Sequence, residues 1–377
     1  MFRHSRELGI NAPALYTKAM PSQILHTLFG WDLLDALCSS PELGRLSAWN
    51  PARQGEPQDH WDRACQGAFA VGCQGPDIFY HSRRTRPLAL EYGSLLHRRG
   101  YGTFCAHLLK MALPAPSQGL NALAAYALGF VSHATLDRSC HPYIIYKSAD
   151  VQSRGEENSL YHPFLERILD VLMLRELRRK ETADWDQRLL AESCENPPPG
   201  LKELIARAMI SVFPEKTAKD EKLARRIDNA FADSARFYSL TDPAKTQAEF
   251  LDEPLSLRRR YLSVVYPLDL PGNIDFLNTK REPWHYPYRQ QSVEPCADTR
   301  SFPEIYADAV KNAVEAILPC MAHYLETGVF PVEAAARSIG DGCLSIHDGE
   351  KKPCAPNLSS PLPLDAELER QCRIRAN

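Results

Sequence analysis

The chain has 377 residues, 44% hydrophobic and 24% charged, with a net charge of −3 and a pI near 6.5. That length allows one large or two ordinary domains, and the composition is ordinary for a soluble globular protein, with no global basic field to argue for a nucleic-acid partner. No stretch reaches the ~18 uninterrupted apolar residues of a membrane span, and Met1–Glu7 lacks the apolar core of a secretory signal. The eleven cysteines are scattered without a CxxC pair. They read as reduced thiols of a cytoplasmic protein and argue against a cysteine-built zinc finger.

Residues 1–20 form a polar arm, and helical periodicity begins after Pro21. Ser22 is placed to cap a helix whose apolar positions are Ile24, Leu25, Leu28, Phe29, Leu33 and Leu34. His26 lies within it and reads equally as a core or surface histidine or as a site residue. After a proline-rich passage, Trp61–Val71 is again helical in period, and Gly72, Gly75 and Pro76 break it. Asp77 therefore falls at a corner, where a carboxylate can either cap the next turn or reach into a cleft. His81–Arg86 is a short basic run, read as a solvated loop or as a clamp for a phosphate at the rim of a site. Leu88–Leu113 is a helix interrupted near Gly100 and Gly102, carrying His97 and His107.

The central stretch runs from Gly119 to Glu166. Its early residues Ala122, Ala124, Ala125, Ala127 and Gly129 are small and let another helix approach closely. His133, Asp137 and His141 follow at steps of four, and His162 and Glu166 repeat that step after a polar loop. Residues at i and i+4 share one face of a helix. Pro142 places His141 at the last helical position or just beyond it. Ser159 is expected to cap the second helix, with Pro163 in its first turn. A lone i,i+4 pair is usually a helix-stabilising contact. Two pairs and a third imidazole in register, among apolar neighbours, point to metal ligands on two facing helices. Imidazole and carboxylate donors without a thiol in phase suit catalytic zinc. Cys73, Cys105 and Cys140 are expected to pack around the site, with a sulfur ligand as the lesser alternative.

Beyond it, Asn196–Gly200 is a break, and helical patterns resume at Leu201–Val212, Lys219–Tyr238 and Pro303–Leu325. A proline-rich wrap over 240–300 separates the last two. A final helical patch covers Val332–Ser338, and Pro353–Pro363 reads as an extended or poorly ordered tail. The whole is expected to be an all-α multi-helix bundle with three parts: an arm over 1–20, a helical metal-binding domain over 21–326 and a C-terminal extension over 327–377.

The order HxxxD, His, HxxxE resembles the zinc-dependent phospholipase C family, which is related to the fungal single-strand nucleases. Gly75–Tyr80 resembles its Gly-Pro-Asp-Phe segment, Gly93–His97 its next ligand helix, and Pro21–His26 its N-terminal histidine segment. Asn278–Trp284 with Ser301–Phe302 is similar to a weaker signature. The resemblance implies a bundle with zinc ions between helices, one held by Asp77, His97, His133 and Asp137, a second by His141, His162 and Glu166. It selects His97 over His81 and His107, and implies Asp77 as base for the attacking water. A third zinc would use His26 and Asp137; the terminal amine of the secreted members has no counterpart in the polar arm. The implied activity is hydrolysis of a phosphodiester, either a phospholipid or a soluble one. The alternatives are a nuclease, with Tyr80, Tyr101, Tyr143 and Tyr146 as stacking candidates, and a non-catalytic metal-binding helical protein.

Overall fold

The computed structural model describes residues 22–43, 61–149, 151, 158–243, 255–290, 296–350 and 352–375. The arm over 1–20 and most of the proline-rich passage before Trp61 lie outside them. The described residues form fifteen α-helices and one two-stranded sheet, an all-α architecture. In chain order these are α1 (Ile24–Cys38), α2 (Arg63–Cys73), α3 (Asp77–Tyr80), α4 (Leu90–Arg98), α5 (Tyr101–Ala112), α6 (Ala122–Ser148) and α7 (Asn158–Arg178). There follow α8 (Arg188–Glu195), α9 (Leu201–Val212), α10 (Pro214–Thr217), α11 (Leu223–Leu240) and α12 (Leu255–Leu262). The sheet pairs β1 (Trp284–His285) with β2 (Ala297–Asp298), and α13 (Phe302–Thr327), α14 (Val332–Ile339) and α15 (Leu364–Ile374) complete the chain.

Helix α6 is the axis of the bundle. It packs on α1, α2, α5, α7 and α13. Its small residues make this possible. A Cβ on Gly129 would lie 2.3 Å from the carbonyl oxygen of Phe69, and one on Gly72 would lie 2.2 Å from that of Tyr126. The backbones of α2 and α6 are in contact at these two points, and no side chain fits between them. Asn121 caps α6 by accepting from the Ala124 amide at 2.9 Å. Outer helices bury one face only: α11 turns Leu223, Ile227, Ala230, Phe231, Ser234 and Phe237 inward, at the spacing of an amphipathic helix.

Three local expectations are corrected. Pro142 does not end α6, which continues to Ser148. The missing N–H and the ring clash cost about 3 kcal/mol in an isolated helix. Here Tyr143, Ile144 and Tyr146 beyond it are all buried, and their packing carries the helix through. Ser159 lies inside α7 rather than capping it, and Pro163 sits past its first turn. Ser22 does not cap α1. Asp170 of α7 does so instead, accepting from the Gln23 and Leu25 amides at 3.0 and 2.8 Å and from the Ser22 hydroxyl at 2.9 Å. Arg167, fully buried, pairs with Asp170 at 3.3 Å and donates to the Val264 carbonyl. This buried pair fixes the start of α1, three residues before His26, onto the helix that carries Glu166.

The stretch 353–363 is free of helix, as expected, but α15 beyond it was not anticipated from the sequence. It packs on α7 and α12.

Candidate metal centre

All eight ligand candidates come together. Helix α1 brings His26, α3 brings Asp77, α4 brings His97, α6 brings His133, Asp137 and His141, and α7 brings His162 and Glu166. Because α6 is helical through His141, its three side chains stand on one face in successive turns.

They form two groups. In the first, His133 Nε2 lies 3.1 Å and His97 Nε2 3.8 Å from Asp137 Oδ2. His97 Nε2 is 3.1 Å from Asp77 Oδ1, and His26 Nε2 is 3.5 Å from Asp137 Oδ1. His26, Asp77 and His133 also offer donor atoms within 4.8 Å of one another, so His26 belongs to this group from two sides. In the second, His141 Nε2 and His162 Nε2 lie 3.5 and 3.3 Å from Glu166 Oε1. Asp137 Oδ2 stands 3.8 Å from His141 Nδ1 and lies between the groups.

These short distances are not hydrogen bonds in direction. Eight polar atoms of seven of these residues are buried without a hydrogen-bond partner: His26 Nδ1, both Asp77 oxygens, Asp137 Oδ2, Glu166 Oε2, and Nε2 of His97, His133 and His141. Leaving so many buried polar groups unpaired costs about 1–3 kcal/mol each, so a native site that keeps them has another use for their lone pairs. Donor atoms converging on a common point, rather than paired with one another, fit a cation.

The opposite ring nitrogens support this. His97 Nδ1 is 2.8 Å from the Gly93 carbonyl oxygen, His133 Nδ1 3.3 Å from that of Cys73, and His141 Nδ1 3.1 Å from that of Leu344. A carbonyl only accepts, so each Nδ1 carries a proton and each Nε2 is the nitrogen turned inward, the one a cation would take. Gly75 makes room for this: its φ is +54°, and a Cβ there would lie 2.4 Å from the His133 ring. The His26 ring stacks on that of His133 at 4.3 Å.

The electrostatics follow from burial and from the mixture of charges. Burial lowers His26 to about 3, with the neighbouring His133 adding to it, so His26 is a neutral imidazole. Burial raises the Asp77 carboxyl. Burial alone would raise Asp137 and Glu166, but the surrounding imidazoles reverse it: His133 and His141 hold Asp137 well below its usual range, and His162 and His141 hold Glu166 at about 2. Burial alone would lower His141; Asp137 and Glu166 outweigh it and hold His141 at about 9.

Other candidates are placed elsewhere. His81 is buried against Phe237, with Nδ1 3.1 Å from the Ser234 hydroxyl, and His107 lies outside the groups. The Arg84 and Thr85 amides donate to Asp233, so the basic run is tied to α11 as a structural turn. Arg86 stands apart from the ligands, beside a basic groove of about 510 Å³ shared with Lys222, Arg225 and Arg226. Of the stacking candidates, Tyr101, Tyr143 and Tyr146 are buried, and only Tyr80 is accessible, its ring 4.8 Å from that of His97. No cysteine joins the two groups among the described residues. Burial pushes the Cys73 thiol up to about 12, and it is the Cys73 carbonyl that serves the site. Sequence reasoning missed the carbonyl partners, and nothing in the side-chain pattern signals them.

The model of the family described as zinc dependent phospholipase C matches residues 50–217, the stretch that contains seven of the eight candidates. Over those residues the chain is similar to that family. No curated protein and no solved structure matches the chain. The fold and site thus define an all-α protein whose buried side chains could hold metal, and the matched stretch is similar to the zinc-dependent phospholipases C.

Proposed function

We propose that this chain is a zinc-dependent hydrolase that cleaves a phosphodiester and releases an alcohol, on a lipid or a soluble substrate. The observation that carries the reading is the set of unpartnered donor atoms converging from five helices, four of them within the stretch that matches the family. Asp77, His97, His133 and Asp137 would hold one ion, and His141, His162 and Glu166 a second; His26 and Asp137 offer a third position. Bound zinc supplies Lewis-acid stabilisation of phosphate charge and lowers the pKa of a nearby water.

The chain's own residues account for the rest. The protonated Nδ1 atoms of His97, His133 and His141 lock three imidazoles in the ligating tautomer before any substrate arrives. Asp77 Oδ2, buried and without a hydrogen-bond partner, accepts the proton of the attacking water. His162 is a quarter exposed whereas the other ligands are buried, so substrate approaches from its side. With three of its four aromatic candidates in the core, the nuclease reading loses most of its stacking residues.

The test is elemental analysis of the purified protein with hydrolysis of a p-nitrophenyl phosphodiester panel, with and without chelator. Two or three zinc ions per chain and chelator-sensitive turnover are expected. Turnover that survives complete removal of metal would sink the proposal. Comparing phosphatidylcholine with single-stranded DNA then separates the substrate classes.

A further inference from the structure

The family match ends at residue 217, yet the segment from Ile339 to Leu344 lies on the site. Leu344 makes two contacts with the ligand framework. Its carbonyl accepts from His141 Nδ1 at 3.1 Å, and its amide donates to the His97 carbonyl at 2.9 Å. One residue thus touches a ligand of each group. The segment is held by a guanidinium. Arg138, next to Asp137 on α6, donates to the carbonyls of Ile339, Gly340, Gly342 and Cys343, the Gly340 contact at 2.8 Å. Asp341 anchors the other side by accepting from the Thr103 amide and hydroxyl at 2.8 and 2.7 Å, at the start of α5. The Gly102 amide donates to the Gly340 carbonyl at 3.0 Å.

We infer that residues 339–344 are a strap that completes the second metal position, with Arg138 as a positioning residue that acts through Leu344 on His141. This rests on the zinc reading given above. The chemistry lies in the choice His141 Nδ1 makes between two acceptors. Leu344 offers a carbonyl at 3.1 Å in hydrogen-bond geometry, and Asp137 offers a carboxylate oxygen at 3.8 Å. With the strap in place the Nδ1 proton goes to Leu344. Nε2 is then free beside Glu166 and His162, and Asp137 keeps both oxygens for the first group. Without the strap, the same proton turns to Asp137. That removes a donor from the first group and lets the His141 ring drift. A partner of this kind is worth about 10–100-fold in metal affinity. By linkage, the metal must tighten the strap as much as the strap tightens the metal.

The experiment uses the full chain, with Zn²⁺ alone as the probe. Metal-free wild type is titrated with zinc while amide hydrogen exchange is followed over 339–346. Arg138→Lys and Arg138→Ala are titrated in parallel, with helix content checked by circular dichroism. Zinc is expected to slow exchange across the strap in wild type. In both variants the second class of zinc should weaken by about 10–100-fold and the first class by less. Wild-type protein that binds zinc with no change in strap exchange overturns the inference, even where the variants fail to fold. So do folded variants that keep every zinc class at wild-type affinity, or lose all classes equally. Wild type that takes up no zinc at all overturns the zinc reading itself, and the strap with it.

Discussion

The two ligand groups are held by different kinds of structure. The first is set by close helix packing: α2 and α6 touch through Gly72 and Gly129, and the Cys73 carbonyl and Gly75 locate His133 from α2's end. The second lies at the margin. His141 is located by the C-terminal strap, Glu166 is buried, and His162 is a quarter exposed. The lesson is that a metal centre can share its energetics with the core at one end and be separable from it at the other. Damage to the first group should register as loss of fold, and damage to the second at its exposed His162 as loss of function alone.

His133→Ala tests the deep end. It removes a fully buried imidazole beside Asp137, whose carboxylate is then left in the interior with fewer partners. Breaking a buried pair of this kind costs about 3–5 kcal/mol. Urea unfolding of the metal-free protein should show that loss, and metal analysis should show the first site empty. Unchanged melting with retained metal would mean that core and site are independent. Gly75→Ala is the next step down. A side chain there meets both the left-handed backbone and the His133 ring, for a combined cost of about 1–3 kcal/mol. Metal affinity should fall with stability in this variant, and a normal affinity would show that the ring has room to move.

A pH prediction probes the second group in another way. In the metal-free protein His141 is held up at about 9 by Asp137 and Glu166 despite burial. A raised imidazole contributes stability that is full below its unfolded value near 6.5 and is lost as pH rises through about 9. Zinc must displace that proton. Its apparent affinity for the second position should therefore climb about tenfold per pH unit between pH 7 and 9, then level off. Calorimetry in buffers of different ionisation enthalpy reads the released proton directly. A flat affinity over that range would place the proton elsewhere.

How much of this was legible in the sequence follows the same division. All eight ligand candidates were visible, because the i,i+4 step and the family's segments are properties of side chains along one strand of text. The central bundle was also visible, through the small residues that let α2 reach α6. What stayed hidden depends on contacts remote in the chain. Asp170 caps α1 from 145 residues away, and Leu344 serves His141 from 203 residues away through a backbone oxygen that every residue possesses. Pro142 misled because its penalty is local, whereas the packing that outweighs it is tertiary. Tyr101, Tyr143 and Tyr146 misled because a tyrosine's apolar ring serves a core as well as it serves a base-stacking groove.

His162→Ala should have the smallest effect on the fold and a large one on the chemistry. The side chain is a quarter exposed, and its Nε2 meets Glu166 at 3.3 Å at the edge of the site. Removing it creates no closed cavity, and Glu166 keeps His141 at 3.5 Å as a partner. Stability of the metal-free protein should change by no more than about 0.5 kcal/mol, the range of surface substitutions. On the proposed assignment the second metal position loses one of three protein ligands, so one zinc per chain should be lost while the first group keeps its own. Set beside His133→Ala, the two variants form a cross: one loses stability and metal together, the other loses metal alone. If His162→Ala unfolds the protein as readily as His133→Ala does, the margin of the site is as much a part of the core as its interior, and the division between the two groups fails.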